Sequence, residues 1–426
     1  MTRARRRLGR RIRFRPAESR ITLSNLVQGM VTILVAVVVA AGAFLTGSAA
    51  GKWQQSVSDQ TKRSLATIED VRFVYTGEAP LALELALAEA REAESNGGDA
   101  ETEREVLFAA RQAMSSDHLA GSRYRQPGKG YDVPRRLADV RQQNPDLAGI
   151  DPAAALEAGD RRNRIALILL VATLPLVLLY VVADVVLRGR AARSPAEPAR
   201  PAGDVGLVPR PWSSPTTRRL WVSVALGAWL TITLLPPLQT YYAGKEQRAG
   251  ALAAVKGAEI SSMLEASGLV LAFATNSEQR ALWIASHSLG RQAAALDSDD
   301  REEAADLSAS ARTEKAVSRR ALAIAQSMGR APSAEDRLDA FTLRAVNATP
   351  DDWRAGLREQ NAHSERVADL SARSKRISLA ILFGALAGSL CALAAAARRK
   401  RHTWLDLASL GVLALSLAAL VSVGFV

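Results

Sequence analysis

The chain has 426 residues, 48% of them hydrophobic, with 55 Lys and Arg against 43 Asp and Glu, a net charge of +12 and one cysteine. A uniformly basic surface would point to nucleic acid, but the excess sits in residues 1–20, in residues 188–219 and in Arg398, Arg399, Lys400 and Arg401, which together carry +17. That distribution excludes a nucleic-acid surface, and the lone Cys391 excludes an intrachain disulfide framework.

In chain order, residues 1–20 form an Arg-rich tail. Charge is then absent between Arg20 and Lys52, Arg164 and Asp184, Arg219 and Lys245, Arg376 and Arg398, and beyond Asp406. An apolar helix of about 20 residues crosses a hydrocarbon core of roughly 30 Å, and a helix satisfies its own backbone there. The expected fold is therefore all-α: a multi-pass membrane protein with five transmembrane helices at 24–46, 165–187, 220–238, 377–397 and 404–426. The first stretch is similar to a signal peptide, yet exceeds the usual h-region of about 7–15 residues, so it reads as an uncleaved anchor.

Positive residues near span ends are retained inside. The tail 1–20, the Pro/Arg-rich linker 188–219 and the loop 398–403 are thus expected in the cytoplasm, with helical regions 47–164 and 239–376 and the C-terminus outside. Arginine outnumbers lysine 47 to 8, a composition associated with GC-rich bacterial genomes, which makes a bacterial plasma membrane the expected location.

Within 47–164, Val57, Thr61, Leu65, Ile68, Val71 and Tyr75 recur at helical spacing and predict one buried face. Leu81, Leu83, Leu85 and Leu87 alternate as in a strand, but the Ala and Glu between them are strong helix formers, and helix is expected through Glu94. Ala100–Ser115 predicts another helix, residues 117–134 a loop rich in Gly and Pro, and 134–143 and 152–158 short helices. The third span is expected to end at Pro236 and Pro237. Within 239–376, helices are expected at 251–273, 278–296, 300–328, 334–346 and 351–376, the last running into the fourth span. The stripe of Val317, Ala321, Ile324 and Met328 needs covering, as does that of Val57, Leu65 and Ile68. Small separate bundles are marginal, so joint burial of the two regions is expected.

Catalytic spacings are missing: the four histidines are scattered, and no P-loop, HExxH or GxSxG occurs. No cofactor is expected, and no enzyme activity. Asp297, Asp299, Asp300, Glu302, Glu303 and Asp306 lack the calcium-loop pattern and read as a capped helix start, with Ser298 or Asp299 as the cap. Arg123, Tyr124, Arg125, Lys129, Tyr131, Arg135 and Arg136 form a basic, tyrosine-bearing loop suited to gripping an anion such as phosphate. Gly384 and Gly388 form GxxxG, a spacing that lets helices approach closely.

The order of spans and loops is similar in outline to the helical input regions of bacterial receptors. The expected function is a non-catalytic extracytoplasmic sensor or scaffold, with the lipid bilayer and other membrane or envelope proteins as partners and no nucleic acid. A permease or transport accessory subunit is the alternative.

Overall fold

Long runs of helix formers dominate the chain, and the computed structural model describes residues 23–95, 99–113, 119, 123–126, 129–143, 147, 149–191, 215–396 and 403–424. Helix α1 (Leu23–Arg72) passes into a π-helical turn, Phe73–Glu78, and then α2 (Ala79–Glu94) and α3 (Asp99–Ala113). A two-stranded antiparallel ribbon, β1 (Arg125–Gln126) and β2 (Gly130–Tyr131), pairs Arg125 with Tyr131. There follow α4 (Val133–Gln143), α5 (Pro152–Ala191), α6 (Pro215–Asp297), α7 (Arg301–Met328), a 3-10 turn at Ala334–Asp336, α8 (Ala340–Val346), α9 (Pro350–Ala396) and α10 (Thr403–Gly424).

Two units divide the chain. One comprises Met1–Gly47, Asn163–Tyr241 and Arg376–Val426, the other Ser48–Arg162 and Tyr242–Lys375. The second unit has one shared core. Val71, Val74 and Tyr75 meet Leu83 and Leu87 of α2, Leu137 of α4, Met263, Val270 and Phe273 of α6, and Val317, Ile324 and Met328 of α7. Tyr75 lies edge-on to Phe273 at 5.9 Å between ring centroids. The regions before and after residues 163–241 thus share a core, to which the first contributes Val71, Val74 and Tyr75 and not the stripe of Val57, Leu65 and Ile68, and α2 explains its own alternation. Leu83, Leu85 and Leu87 are all buried, as are Ala82, Ala86 and Ala90, because α2 is flanked by α3, α7 and β2.

The face of α1 differs from the expected one. Leu65 is 54% exposed, while Trp53, Ser56, Gln60, Ser64 and Thr67 are buried. Tertiary hydrogen bonding accounts for the rotation: the Ser56 hydroxyl donates to the Pro152 carbonyl at 2.7 Å and the Trp53 indole to Asp160 at 3.2 Å. Asp160 also accepts a bidentate pair from Arg248 at 2.7 and 2.8 Å. Gly159 permits this approach, since a Cβ there would lie 2.5 Å from the Trp53 indole nitrogen.

In the first unit, helices also pack on one another. A Cβ at Gly42 would lie 2.9 Å from Leu170 Cγ, Gln239 donates to Ser378 at 2.9 Å, and Ser416 donates to the Ala380 carbonyl at 2.8 Å. Ala387 packs against Leu413 of α10, beside buried Gly384 and half-buried Gly388. Phe44, Ile168, Leu382 and Val421 of this unit are exposed.

These observations correct the five-span reading. Among the described residues one helical stretch, Leu235–Asp297, is long and apolar enough to cross a membrane, with mean hydropathy 1.2 over a window that is 33% buried inside the protein. The structure is mostly helical, with helix–helix packing, ion pairs and hydrogen bonds between elements, and it does not support a fold of five transmembrane helices. The physical reason is an ambiguity of pattern. A charge-free apolar run suits a bilayer, and it equally suits a helix buried against other helices.

With the five spans go the conclusions drawn from them. These are the bacterial plasma-membrane location with the N-terminus inside and C-terminus outside, the lipid bilayer and membrane or envelope proteins as partners, and the sensor, scaffold and permease readings. The tail 1–20 and most of the linker 188–219 lie outside the described residues.

Smaller differences are local. The 152–158 helix and the run at 165–187 are one helix, α5, and α6 continues unbroken through Pro236 and Pro237. Expected helix 334–346 divides into the 3-10 turn and α8, because the Asp339 carboxylate accepts from the Phe341 and Thr342 amides and so starts α8 afresh.

Candidate functional site: a cavity between helix α2, the ribbon and helix α7

Two backbone bonds hold the ribbon: the Lys129 amide donates to the Gln126 carbonyl at 3.0 Å and the Asp132 amide to the Tyr124 carbonyl at 2.8 Å. Gly130 has φ +82°, which disfavours side chains with a Cβ. A Cβ there would also sit 2.9 Å from both Ile324 Cγ2 and Met328 Sδ of α7. Glycine therefore sets how closely the ribbon approaches α7.

Between these elements lies a cavity of about 720 Å³. Ala82, Leu85, Ala86 and Ala90 of α2 form one wall, Ala323 and Ile324 of α7 another, and Gly130 and Tyr131 of the ribbon a third. Glu89, Arg125 and Arg320 supply its charged lining. Glu89 accepts from two guanidiniums, that of Arg111 on α3 at 3.1 Å and that of Arg125. Arg320 pairs with Glu94 at 2.7 Å. The charged lining of Arg125, Arg320 and Glu89 carries one positive charge in excess, and Arg111 and Glu94 extend it outside the lining.

The basic patch expected from the sequence is divided by the fold. Arg136 is buried and holds Glu78 through two bonds of 2.7 and 2.9 Å, and this partner raises its pKa further above the usual range. Arg123 and the Tyr124 hydroxyl both donate to Asp139 at 2.6 Å, and Tyr131 donates to Glu78 at 3.4 Å. Burial is the main cause holding both tyrosine hydroxyls above their ordinary pKa. Lys129 and Arg135 are exposed. Of the seven residues, Arg125 and Tyr131 line the cavity. Of the others, Arg136 meets the distant Glu78 inside the fold, and Arg123 and Tyr124 meet Asp139 of the following helix.

A second cluster escaped sequence reasoning. Arg141 of α4 is 3% exposed and donates to Asp70 of α1 at 3.0 Å and to Asp339 at 3.3 Å. Arg63 adds a bond to Asp339 at 3.3 Å and lies 4.4 Å from the Phe341 ring centroid. The usable signal was on α4, where Arg136 and Arg141 share a face with Leu137 and Val140. Buried arginines need partners.

The two aspartates respond oppositely. Burial alone would raise both, and it prevails at Asp70, where Arg141 offsets it in part. At Asp339 the bonds from the Thr342 hydroxyl and amide, together with Arg141, outweigh burial and lower the pKa below 3.8. A depressed carboxylate contributes stability that is full above its unfolded pKa and is lost as pH falls through the folded one. The contribution of Asp339 is therefore expected to disappear on acidification below about pH 4, whereas that of Asp70 works in the other direction. Denaturant midpoints between pH 2 and 6 check this: Asp339→Asn, which keeps a capping side chain, should show a shallower acid loss than the parent. An identical slope would place the acid sensitivity elsewhere.

The acidic run at 297–306 begins α7 as an N-terminus, with Asp300 as the cap, accepting from the Glu302 amide at 2.8 Å, in place of Ser298 or Asp299. Among the described residues no group of three or more His, Cys, Asp or Glu side chains is arranged to hold a metal ion. No family model, curated protein or solved structure matches the chain.

Proposed function

We propose that residues 48–162 and 242–375 form a non-catalytic binding module for a small amphipathic anion, an apolar chain or ring bearing one carboxylate or sulfonate. One observation carries this reading: the apolar cavity of about 720 Å³ is lined by Arg125 and Glu89, the carboxylate that Arg111 shares from outside the lining. Its size falls in the range of about 300–1,000 Å³ usual for ligand sites, and apolar walls with few polar groups are the usual composition. Arginine offers planar paired donors to an oxyanion, and Arg125 can retain Glu89 through one edge while presenting another.

Fluorescence titration of the full chain with 1-anilinonaphthalene-8-sulfonate, followed by displacement with decanoate, tests the proposal. Decanoate is expected to compete, and decanol, its uncharged counterpart, to compete about tenfold less well, the worth of one charge-assisted bond. Arg125→Gln should remove that difference. Ala323→Trp, at an exposed position on the cavity wall, should fill the mouth and abolish displaceable binding with the helical circular dichroism unchanged. Equal competition by decanoate and decanol, or full binding by Ala323→Trp, would sink the reading.

A further inference from the structure

Helix α6 buries Met263, Val270, Phe273, Ala281 and Ile284 in the core of its unit. A second apolar row lies roughly 110° around the same helix, at about 100° per residue. It consists of Leu264, Leu271, Leu282, Leu289 and Leu296, which are 53, 66, 61, 62 and 86% exposed. The spacing is a heptad interrupted once: three intervals are seven residues, and that from Leu271 to Leu282 is seven plus four. Such a four-residue insertion is a stutter, which a helical seam accommodates by local unwinding. At the skipped heptad position stands Glu278. Single exposed leucines are ordinary, but five in one row form an apolar strip about 48 Å long, the sort of surface that marks an interface.

We infer that this row is a seam through which two copies of the chain associate. A two-fold axis places the same strip on both sides of a contact, so one leucine row is its own complement. The leucines alone expose roughly 600 Å² per copy, most of the ~800 Å² per partner that a standard interface buries. Small residues flank the row: an added Cβ at Gly268 or Gly290 would meet nothing within 4 Å, so the partner helix can come close. Glu278 is the charge within the row, and it opposes pairing when desolvated.

Sedimentation velocity of the full chain over a concentration series is the test. The parent is expected to dimerise at micromolar concentration. Leu282→Glu with Leu289→Glu should raise the dissociation constant at least ~100-fold, and Glu278→Leu, which fills the skipped heptad position with an apolar side chain, should lower it about tenfold. The three leucine-row positions are exposed, so circular dichroism should be unaltered in each variant. The inference is overturned if the parent stays monomeric, if the double variant dimerises like the parent, or if Glu278→Leu weakens association. A monomeric parent that adsorbs to phosphatidylcholine vesicles through these leucines, and loses adsorption in the double variant, would instead assign the row to a lipid surface.

Discussion

Replacing Arg141 by methionine is expected to lower the unfolding free energy by about 3–5 kcal/mol at neutral pH, the cost of leaving a buried charge without its partner. Methionine retains much of the apolar stem, so the loss reports the guanidinium more than the packing. Asp339 keeps Arg63, the Thr342 hydroxyl and two amides. Asp70 is left with no replacement for its ion pair with Arg141, and burial then raises its pKa beyond the upward shift it already has. In that state the folded chain binds a proton more tightly than the unfolded one, so stability falls as pH rises through the folded pKa of Asp70. The deficit should accordingly be small in acid and full at neutrality. Denaturant unfolding of the single variant and of Arg141→Met with Asp70→Asn, measured at several pH values, checks both parts. The double variant should recover most of the loss and show a flatter pH dependence. A deficit under about 1 kcal/mol would mean that the cluster is solvated, as exposed ion pairs are.

The second large effect is expected at Gly130. Valine there must adopt φ near +82°, and its Cβ would press on Ile324 and Met328. Backbone strain of about 1–3 kcal/mol and overpacking of about 1–3 kcal/mol together predict a loss of roughly 2–6 kcal/mol. Because Gly130 also lines the cavity, displacement of the ribbon should weaken decanoate binding in parallel. Thermal unfolding and the displacement titration on the same sample measure both. Gly130→Asn separates the two causes, since asparagine tolerates positive φ better than valine but brings the same Cβ. A valine variant with parental stability and binding would show that the ribbon does not rest on α7 in solution.

Both effects arise where the local pattern was silent. The basic run from Arg123 to Arg136 could be seen, and its tyrosines with it, but Glu78 and Glu89, which tie Arg136 and Arg125, lie 58 and 36 residues away in sequence. A row of arginines near glycine and proline has the same appearance whether solvated, bound to an anion, or paired inside a fold. The cavity had no local signal at all. Its walls are alanine and leucine positions on α2 and α7 that read as ordinary core, and it exists because Gly130 and the α2–α7 packing leave that space unfilled.

By itself, the sequence determined which stretches are helical and where several of them start. The alanine and glutamate content of α2, the acidic first turn of α7 and the uninterrupted run of α9 are short-range properties, set by propensity and by capping within a few residues. It also determined that the stripe of Val317, Ala321, Ile324 and Met328 would be covered. Only the tertiary structure decided where the charge-free runs meet another helix, as Gly42 meets Leu170 and Ala387 meets Leu413, because apolarity alone does not distinguish lipid from a neighbouring helix. It likewise decided the rotation of α1, which turns Leu65 outward and buries Ser56 and Thr67. Polar partners as remote as Pro152 and Thr342 compensate that burial. The pairing of Arg141 with Asp70 and Asp339 was decided in the same way, for a buried charge is stable only beside a group that folding itself brings within reach.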